Sequence, residues 1–199
     1  MPRVWLTTTI ALLLSVALAQ SWAAKPRKWV TLPDCQYVEG NGTDGDSFRV
    51  KCDTNEFIVR LFFVDATETN LRYAERTREQ SEYFGVTLDE TMKAGRKARD
   101  TVQELLREPF VIHTRRASAA GRSTEPRYYA FVDVGDKSLA ELLVSQGLAR
   151  TKGVTTNLPT GENWKVFVER LQALENEARQ KQLGIWASSA EKISETQTR

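Results

Sequence analysis

Two short segments hold residues whose types and spacing suit chemistry on an anionic substrate. Asp44-Gly45-Asp46-Ser47 lies where a turn passes into a strand, and the run from Arg60 through Val64-Asp65-Ala66-Thr67 to Glu68 is a strand that ends in a polar step. Asp46 at the start of one strand and Asp65 at the end of another could converge across neighbouring strands. Two hard carboxylate oxygens, joined by a backbone carbonyl and water, suit Ca²⁺ or Mg²⁺ rather than a thiolate-seeking metal. Taken singly the segments say little: Asp-Gly-Asp is foremost a turn sequence, and an acid closing a strand is usually solvated or capping. Arg60 precedes Asp65 by five residues. In an ideal strand that odd separation puts the two side chains on opposite faces, so a shared pocket requires a bend or bulge near Asp65.

Composition excludes several other chemistries. His113 is the single histidine, so mechanisms that need a histidine pair, or several histidines on one metal, are closed to one chain. A Ser-His-Asp arrangement would have to use His113, which sits in the strand-like run Phe110–Thr114 with no motif around it and reads as structural or solvent-facing. Cys35 and Cys52 flank a turn near Asn41–Gly45 and are consistent with one disulfide formed in an oxidising compartment. Two cysteines without nearby histidine cannot close a four-ligand zinc site. Asn41-Gly42-Thr43 has the form of a glycosylation sequon but reads as a turn.

The elements that must position these residues follow from turn and periodicity signals. Pro26–Glu39 suits an entering strand, Ser47–Cys52 alternates as a second, and Phe57–Val64 is rich in β-branched and aromatic residues as a third. Short turns between them favour an antiparallel meander. Thr87-Leu88-Asp89-Glu90 is a capping box, followed at helical spacing by Leu88, Met92, Ala98, Val102 and Leu105, with Pro109 as the stop. Phe110–Thr114 and Tyr128–Val134 read as two more strands. A short helix is expected over about Ser138–Ser145 with Gly147 ending it. Asn163 caps a third helix marked by Trp164, Phe167, Val168, Leu171, Leu174 and Ala178, terminated by Leu183-Gly184-Ile185-Trp186. This order predicts an α+β fold: a five-stranded OB-type β-barrel with three helices packed outside it, a common nucleic-acid scaffold.

Arg3 followed by the apolar run Val4–Ala19 and by small residues describes a signal peptide over residues 1–23, cleaved after Ala19 or Ala23; an uncleaved anchor is the alternative. The remainder divides into one domain, 24–188, and a polar tail, 189–199, expected to be disordered. Such a protein is secreted or periplasmic, with no stable membrane association once the leader is gone. Charged residues make up 27% of the chain and the net charge is +2, too small an excess to imply nucleic acid without a clustered basic face.

The Asp44-Gly45-Asp46-Ser47 step, the Arg60-to-Glu68 strand end and an arginine ahead of the next inner strand together resemble the staphylococcal nuclease (thermonuclease) family. The resemblance runs in register from about Tyr37 to Trp186 and includes Leu142–Ala149 and Leu183–Trp186. It implies metal ligation by Asp46, Asp65 and the backbone carbonyl of Ala66, with Asp44 acting through water. It implies Glu68 as the residue that positions or deprotonates the attacking water, and Arg60 as the first phosphate-binding arginine. The second falls on Arg127, where the Arg-x-x-Ala spacing to Ala130 is kept; Arg122, after Gly121, competes for the role. Thr67 stands where the family has proline, and the nucleotide-stacking tyrosines are missing near Gly153 and Thr155. Residues 69–86 are extra and are expected to form a lid or recognition loop, in which Tyr73, Tyr83 and Phe84 stack on bases or pack the loop onto the barrel.

What the resemblance implies is a monomeric, Ca²⁺-dependent phosphodiesterase acting on DNA, RNA or both by in-line attack of water. A second reading is a catalytically weak OB-type module that binds nucleic acid; the retained Asp46, Arg60, Asp65 and Glu68 speak against it. A third, a secreted structural or inhibitor protein, leaves the acid–arginine pattern unexplained.

Overall fold

In Ser47–Cys52, Phe48, Val50 and Cys52 are buried while Arg49 and Lys51 lie further out, the period-two alternation of a half-buried strand. The same alternation in Asn55–Leu61 puts Phe57, Val59 and Leu61 inside and turns Arg60 away from the core. The computed structural model describes residues 28–40, 43–119 and 125–189. The expected leader, the turn at Asn41, Arg122 and the tail beyond residue 189 lie outside them.

In chain order the elements are β1 (Val30–Val38), β2 (Ser47–Cys52), β3 (Asn55–Leu61), β4 (Val64–Ala66), α1 (Ala74–Phe84), α2 (Leu88–Leu105), β5 (Phe110–Ser118), β6 (Arg127–Val134), β7 (Lys137–Ser138), α3 (Leu139–Ser145), β8 (Ala149–Thr151) and α4 (Trp164–Gln180). β1 pairs antiparallel with β2 and β5, β2 with β3, and β5 with β6. A parallel pairing of β3 with β6, in which Ile58 faces Arg127 and Arg60 faces Tyr129, closes the ring. The result is the expected α+β architecture, a closed five-stranded barrel of mixed strand direction with its helices outside. β4 pairs with β8 beside it. Cys35 and Cys52 form a disulfide between β1 and β2.

The three expected helices are present. Thr87 and Glu90 make both bonds of the capping box at α2, and the Asn163 side chain accepts from the Lys165 N–H at α4. A fourth helix, α1, occupies the segment 69–86 that the sequence suggested as a lid or loop. Its buried face is Thr77, Gln80 and Phe84, so it carries no apolar stripe by which periodicity would reveal it. The core is aromatic: Phe63 lies 5.0 Å from Phe167 and 5.7 Å from Phe131 between ring centroids. Burial of each such side chain contributes about 1.5–3 kcal/mol. Among the described residues no helix is long and apolar enough to cross a membrane.

Candidate active site

β3 ends at Leu61 and β4 starts at Val64, and between them Phe63 adopts a positive φ of 68°. A left-handed backbone costs a residue with a side chain roughly 1–2 kcal/mol; Phe63 is buried and held by Phe131 and Phe167, which offset that cost. This is the bend that the odd spacing required. It brings Asp65 round to the side of Arg60, whose Nη2 lies 3.3 Å from Asp65 Oδ1. Asp46 reaches the same place from the turn before β2, where the Asp44 N–H donates to Ser47 O at 2.8 Å. The Ala66 N–H donates to Asp46 Oδ2 at 2.8 Å and locks the two acidic segments together.

Helix α2 presses on both segments through small residues. Gly95 lies so close to the Thr67–Glu68 backbone that a Cβ there would stand 2.4 Å from the Glu68 carbonyl oxygen. One turn on, Ala98 meets Gly45, where an added Cβ would stand 2.7 Å from the Ala98 methyl.

The pocket is a dense ionic cluster. Arg60 Nη1 pairs closely with Asp46 Oδ1. Arg76, from α1, pairs closely with Asp65 Oδ1 and lies 3.1 Å from Glu68 Oε1 and 3.9 Å from Asp46 Oδ2. Arg150, from β8, is buried and donates to Asp65 Oδ2 through Nε at 3.0 Å and Nη2 at 2.8 Å, and through Nη1 to Glu79 at 2.9 Å. The Gln80 amide donates to Asp65 Oδ2 at 3.1 Å and to the Ala66 carbonyl at 2.9 Å, while its oxygen accepts from the Glu68 N–H at 2.9 Å.

These neighbours split the acids. Burial pushes Asp46 well above the usual carboxylate range, and burial likewise raises Asp44 and Glu68. Burial also pushes Asp65 upward, but Arg76, Gln80 and Arg150 outweigh it and hold that carboxylate below its ordinary value. Hydrogen bonds from Arg150 hold Glu79 down at about 2. The pocket thus sets one carboxylate held below its ordinary value, Asp65, beside three that burial raises, Asp44, Asp46 and Glu68.

A family model described as a staphylococcal nuclease homologue matches residues 58–188. The chain belongs to the staphylococcal nuclease homologue family. The matched stretch carries Arg60, Asp65, Glu68 and Arg127, and begins after Asp46. No curated protein matches the chain significantly.

In this member of the staphylococcal nuclease homologues, Asp44, Asp46, Arg60, Asp65, Ala66 and Glu68 come together from segments separated in sequence. Arg127 sits on the same outward side of the barrel as Arg60. Its register partner is Ile58, one two-residue step, about 7 Å, from the Arg60–Tyr129 pair. Among the described residues its buried Nε has no hydrogen-bond partner. The competing Arg122 lies outside the described residues. Of the aromatic candidates, Phe84 is buried against Trp186 at 4.8 Å and serves packing, whereas Tyr73 and Tyr83 are both exposed, the Tyr83 hydroxyl donating to Glu175 at 2.6 Å. His113 lies between Thr31 and Asp133, each at 3.0 Å, in a structural role.

Sequence reasoning missed Arg76, Glu79, Gln80 and Arg150. The first three share α1, where Arg76 and Gln80 are one helical turn apart and face the same way; recognising the helix would have found them. Arg150 follows the Gly147-Leu148-Ala149 motif with no signal of its own.

Among the described residues no group of three or more His, Cys, Asp or Glu side chains is arranged to hold a metal ion. Arg60 and Arg76 stand among the carboxylates instead. The donor chemistry nevertheless fits a hard divalent cation. Asp44, Asp46, Asp65 and Glu68 offer only oxygen donors, and burial raises Asp44, Asp46 and Glu68 because their charge is costly there, a cost that a bound cation would offset.

Proposed function

We propose that this chain hydrolyses phosphodiester bonds of DNA, RNA or both by directed attack of water. The observation that carries the reading is the convergence of Asp46, Arg60, Asp65 and Glu68 in one pocket, with Glu68 raised by burial and Asp65 held ionised. Asp46, Asp65 and the Ala66 carbonyl are the groups that would hold Ca²⁺, which when bound supplies positive charge to a phosphoryl oxygen and to water.

The chain's own residues supply the rest. Glu68, raised by burial from its ordinary value, accepts the proton of water as it attacks phosphorus. Arg60 binds phosphate oxygens with its planar fork, exchanging a carboxylate partner for the substrate; its grip strengthens as charge builds in the transition state. Arg127, on the adjoining strand with an unpartnered buried Nε, is the second phosphate-binding arginine. Export, with the disulfide formed outside the reducing cytoplasm, accords with the apolar run at residues 4–19.

The test is cleavage of single-stranded DNA, duplex DNA and RNA in Ca²⁺, Mg²⁺ or EDTA, with Glu68→Gln alongside. The expected outcome is metal-dependent cleavage that falls on the order of 10²–10³-fold or more in the mutant. Folded protein that binds nucleic acid but cleaves none would favour the binding-module reading. The saturation of Asp65 by Arg76, Arg150 and Gln80 is the observation on that side.

A further inference from the structure

Three carboxylates of the pocket share one cation, and it belongs to the chain. The guanidinium of Arg76 pairs with Asp65 Oδ1, lies 3.1 Å from Glu68 Oε1 and 3.9 Å from Asp46 Oδ2. Two of these acids are the proposed metal ligands and the third is the proposed base. Arg60 touches Asp46 and Asp65, and Arg150 touches Asp65 alone among the three; among the described residues Arg76 is the one guanidinium that spans the set. It is also the most exposed of the three arginines, with 35% of its side chain accessible against 12% for Arg60 and 2% for Arg150. A side chain placed at the solvent side of an otherwise closed cluster can leave it without unpacking the core.

The backbone around Arg76 is anchored independently of that guanidinium. Gln80, one turn along α1, bonds Asp65, the Ala66 carbonyl and the Glu68 N–H, and Phe84 packs on Trp186. The helix therefore stays docked whether or not Arg76 keeps its ion pairs. A divalent cation and a guanidinium cannot both occupy the space among the same carboxylate oxygens, because their like charges repel and their ligands coincide.

We propose that Arg76 is an exchangeable occupant of the cation position: it neutralises Asp46, Asp65 and Glu68 while no metal is bound, and gives way when a divalent cation enters. This rests on the metal-dependent reading above and adds a residue that sets how tightly the metal is held. Because the metal must displace an ion pair that already satisfies its ligands, the apparent affinity is weakened by the population of the closed state.

The experiment is calorimetric titration of Ca²⁺ into the wild-type protein, Arg76→Gln and Arg76→Lys, with thermal unfolding of each in EDTA and in saturating Ca²⁺. Arg76→Gln is expected to bind Ca²⁺ on the order of tenfold more tightly than wild type. It should unfold at lower temperature in EDTA and recover most of the difference in Ca²⁺, whereas Arg76→Lys, which keeps the charge, should stay near wild type. If wild type binds Ca²⁺ and Arg76→Gln binds it equally or more weakly, Arg76 is a structural tie and the exchange is refuted while the metal site stands. If neither protein takes up Ca²⁺, the metal reading itself fails and the exchange falls with it. A stability loss in Arg76→Gln that Ca²⁺ does not reduce also refutes the exchange.

Discussion

Gly95→Ala separates two lines of reasoning that predict opposite signs. Gly95 sits inside α2, where helix propensity alone says that alanine stabilises by about 0.8–1.0 kcal/mol. The structure says otherwise. A methyl group at Gly95 would stand 2.4 Å from the Glu68 carbonyl oxygen, 2.5 Å from that of Thr67 and 2.7 Å from the Glu68 carbonyl carbon. These are backbone atoms and cannot swing aside, so either α2 lifts or the 67–68 turn retreats by about 1 Å. Forcing an extra methyl into such a contact costs about 1–3 kcal/mol, so the net effect runs from near zero to about 2 kcal/mol of destabilisation. On the proposed role of Glu68 the larger effect falls on turnover, because the turn that moves carries Glu68, and a misplacement of about 1 Å can cost on the order of 10² in rate. Urea unfolding of Gly95→Ala beside wild type, with turnover measured on the cleaved substrate, gives both numbers. A variant more stable by about 1 kcal/mol and within twofold of wild-type turnover would refute the claim that α2 fixes Glu68 through this contact.

Arg150→Met should destabilise the fold by about 3 kcal/mol, the lower end for breaking a buried ion pair, since Asp65 keeps Arg60 and Arg76; chemical denaturation of the folded variant measures it. Replacing Cys35 and Cys52 together by serine opens a loop whose ends are 17 residues apart, with an expected loss of about 3 kcal/mol, read from the urea midpoint against the oxidised wild type. Glu79 is held at about 2 by Arg150, below its ordinary value, so its contribution is present above the usual carboxylate range and fades as pH falls toward about 2. Its side chain is about half exposed, so solvent screening keeps that contribution below about 1 kcal/mol. The stability gap between wild type and Glu79→Gln should accordingly be measurable at pH 6 and narrow at pH 3.

The parts of the fold legible in the sequence are those that obey a local rule. β2 and β3 alternate, Thr87 and Glu90 form a box, Asn163 caps, and Gly147 takes a positive φ of 66° just beyond α3. The cysteines fall on paired strands because the turn between them is short. α1 was illegible because its inner face is chosen for the pocket rather than for the core: Thr77 bonds its own helix start and Gln80 bonds the acidic turn. Hydrophobic patterning cannot register a helix that docks through an amide and a guanidinium. The bend at Phe63 was legible only as a requirement, since nothing about phenylalanine announces a left-handed backbone. Arg150 was hidden for a related reason. A buried arginine is intelligible only beside its partners, and Asp65 lies 85 residues earlier in the chain.

The parallel seam that closes the barrel also orders events in time. β3 and β6 meet through residues 58–61 and 127–130, contacts between segments that α2 and β5 separate in the chain. Such distant pairings carry a large loop-closure cost and form slowly compared with helices and hairpins. Asp46, Arg60, Asp65, Glu68 and Arg76 all precede β6 in the chain, whereas Arg127 opens β6 and Arg150 follows it. A chain still emerging from its synthesis therefore carries the acids and Arg60 without Arg127 or the buried tie of Arg150 on Asp65. The full ionic cluster, with Arg150 on Asp65, is assembled only when β6 and β8 have docked.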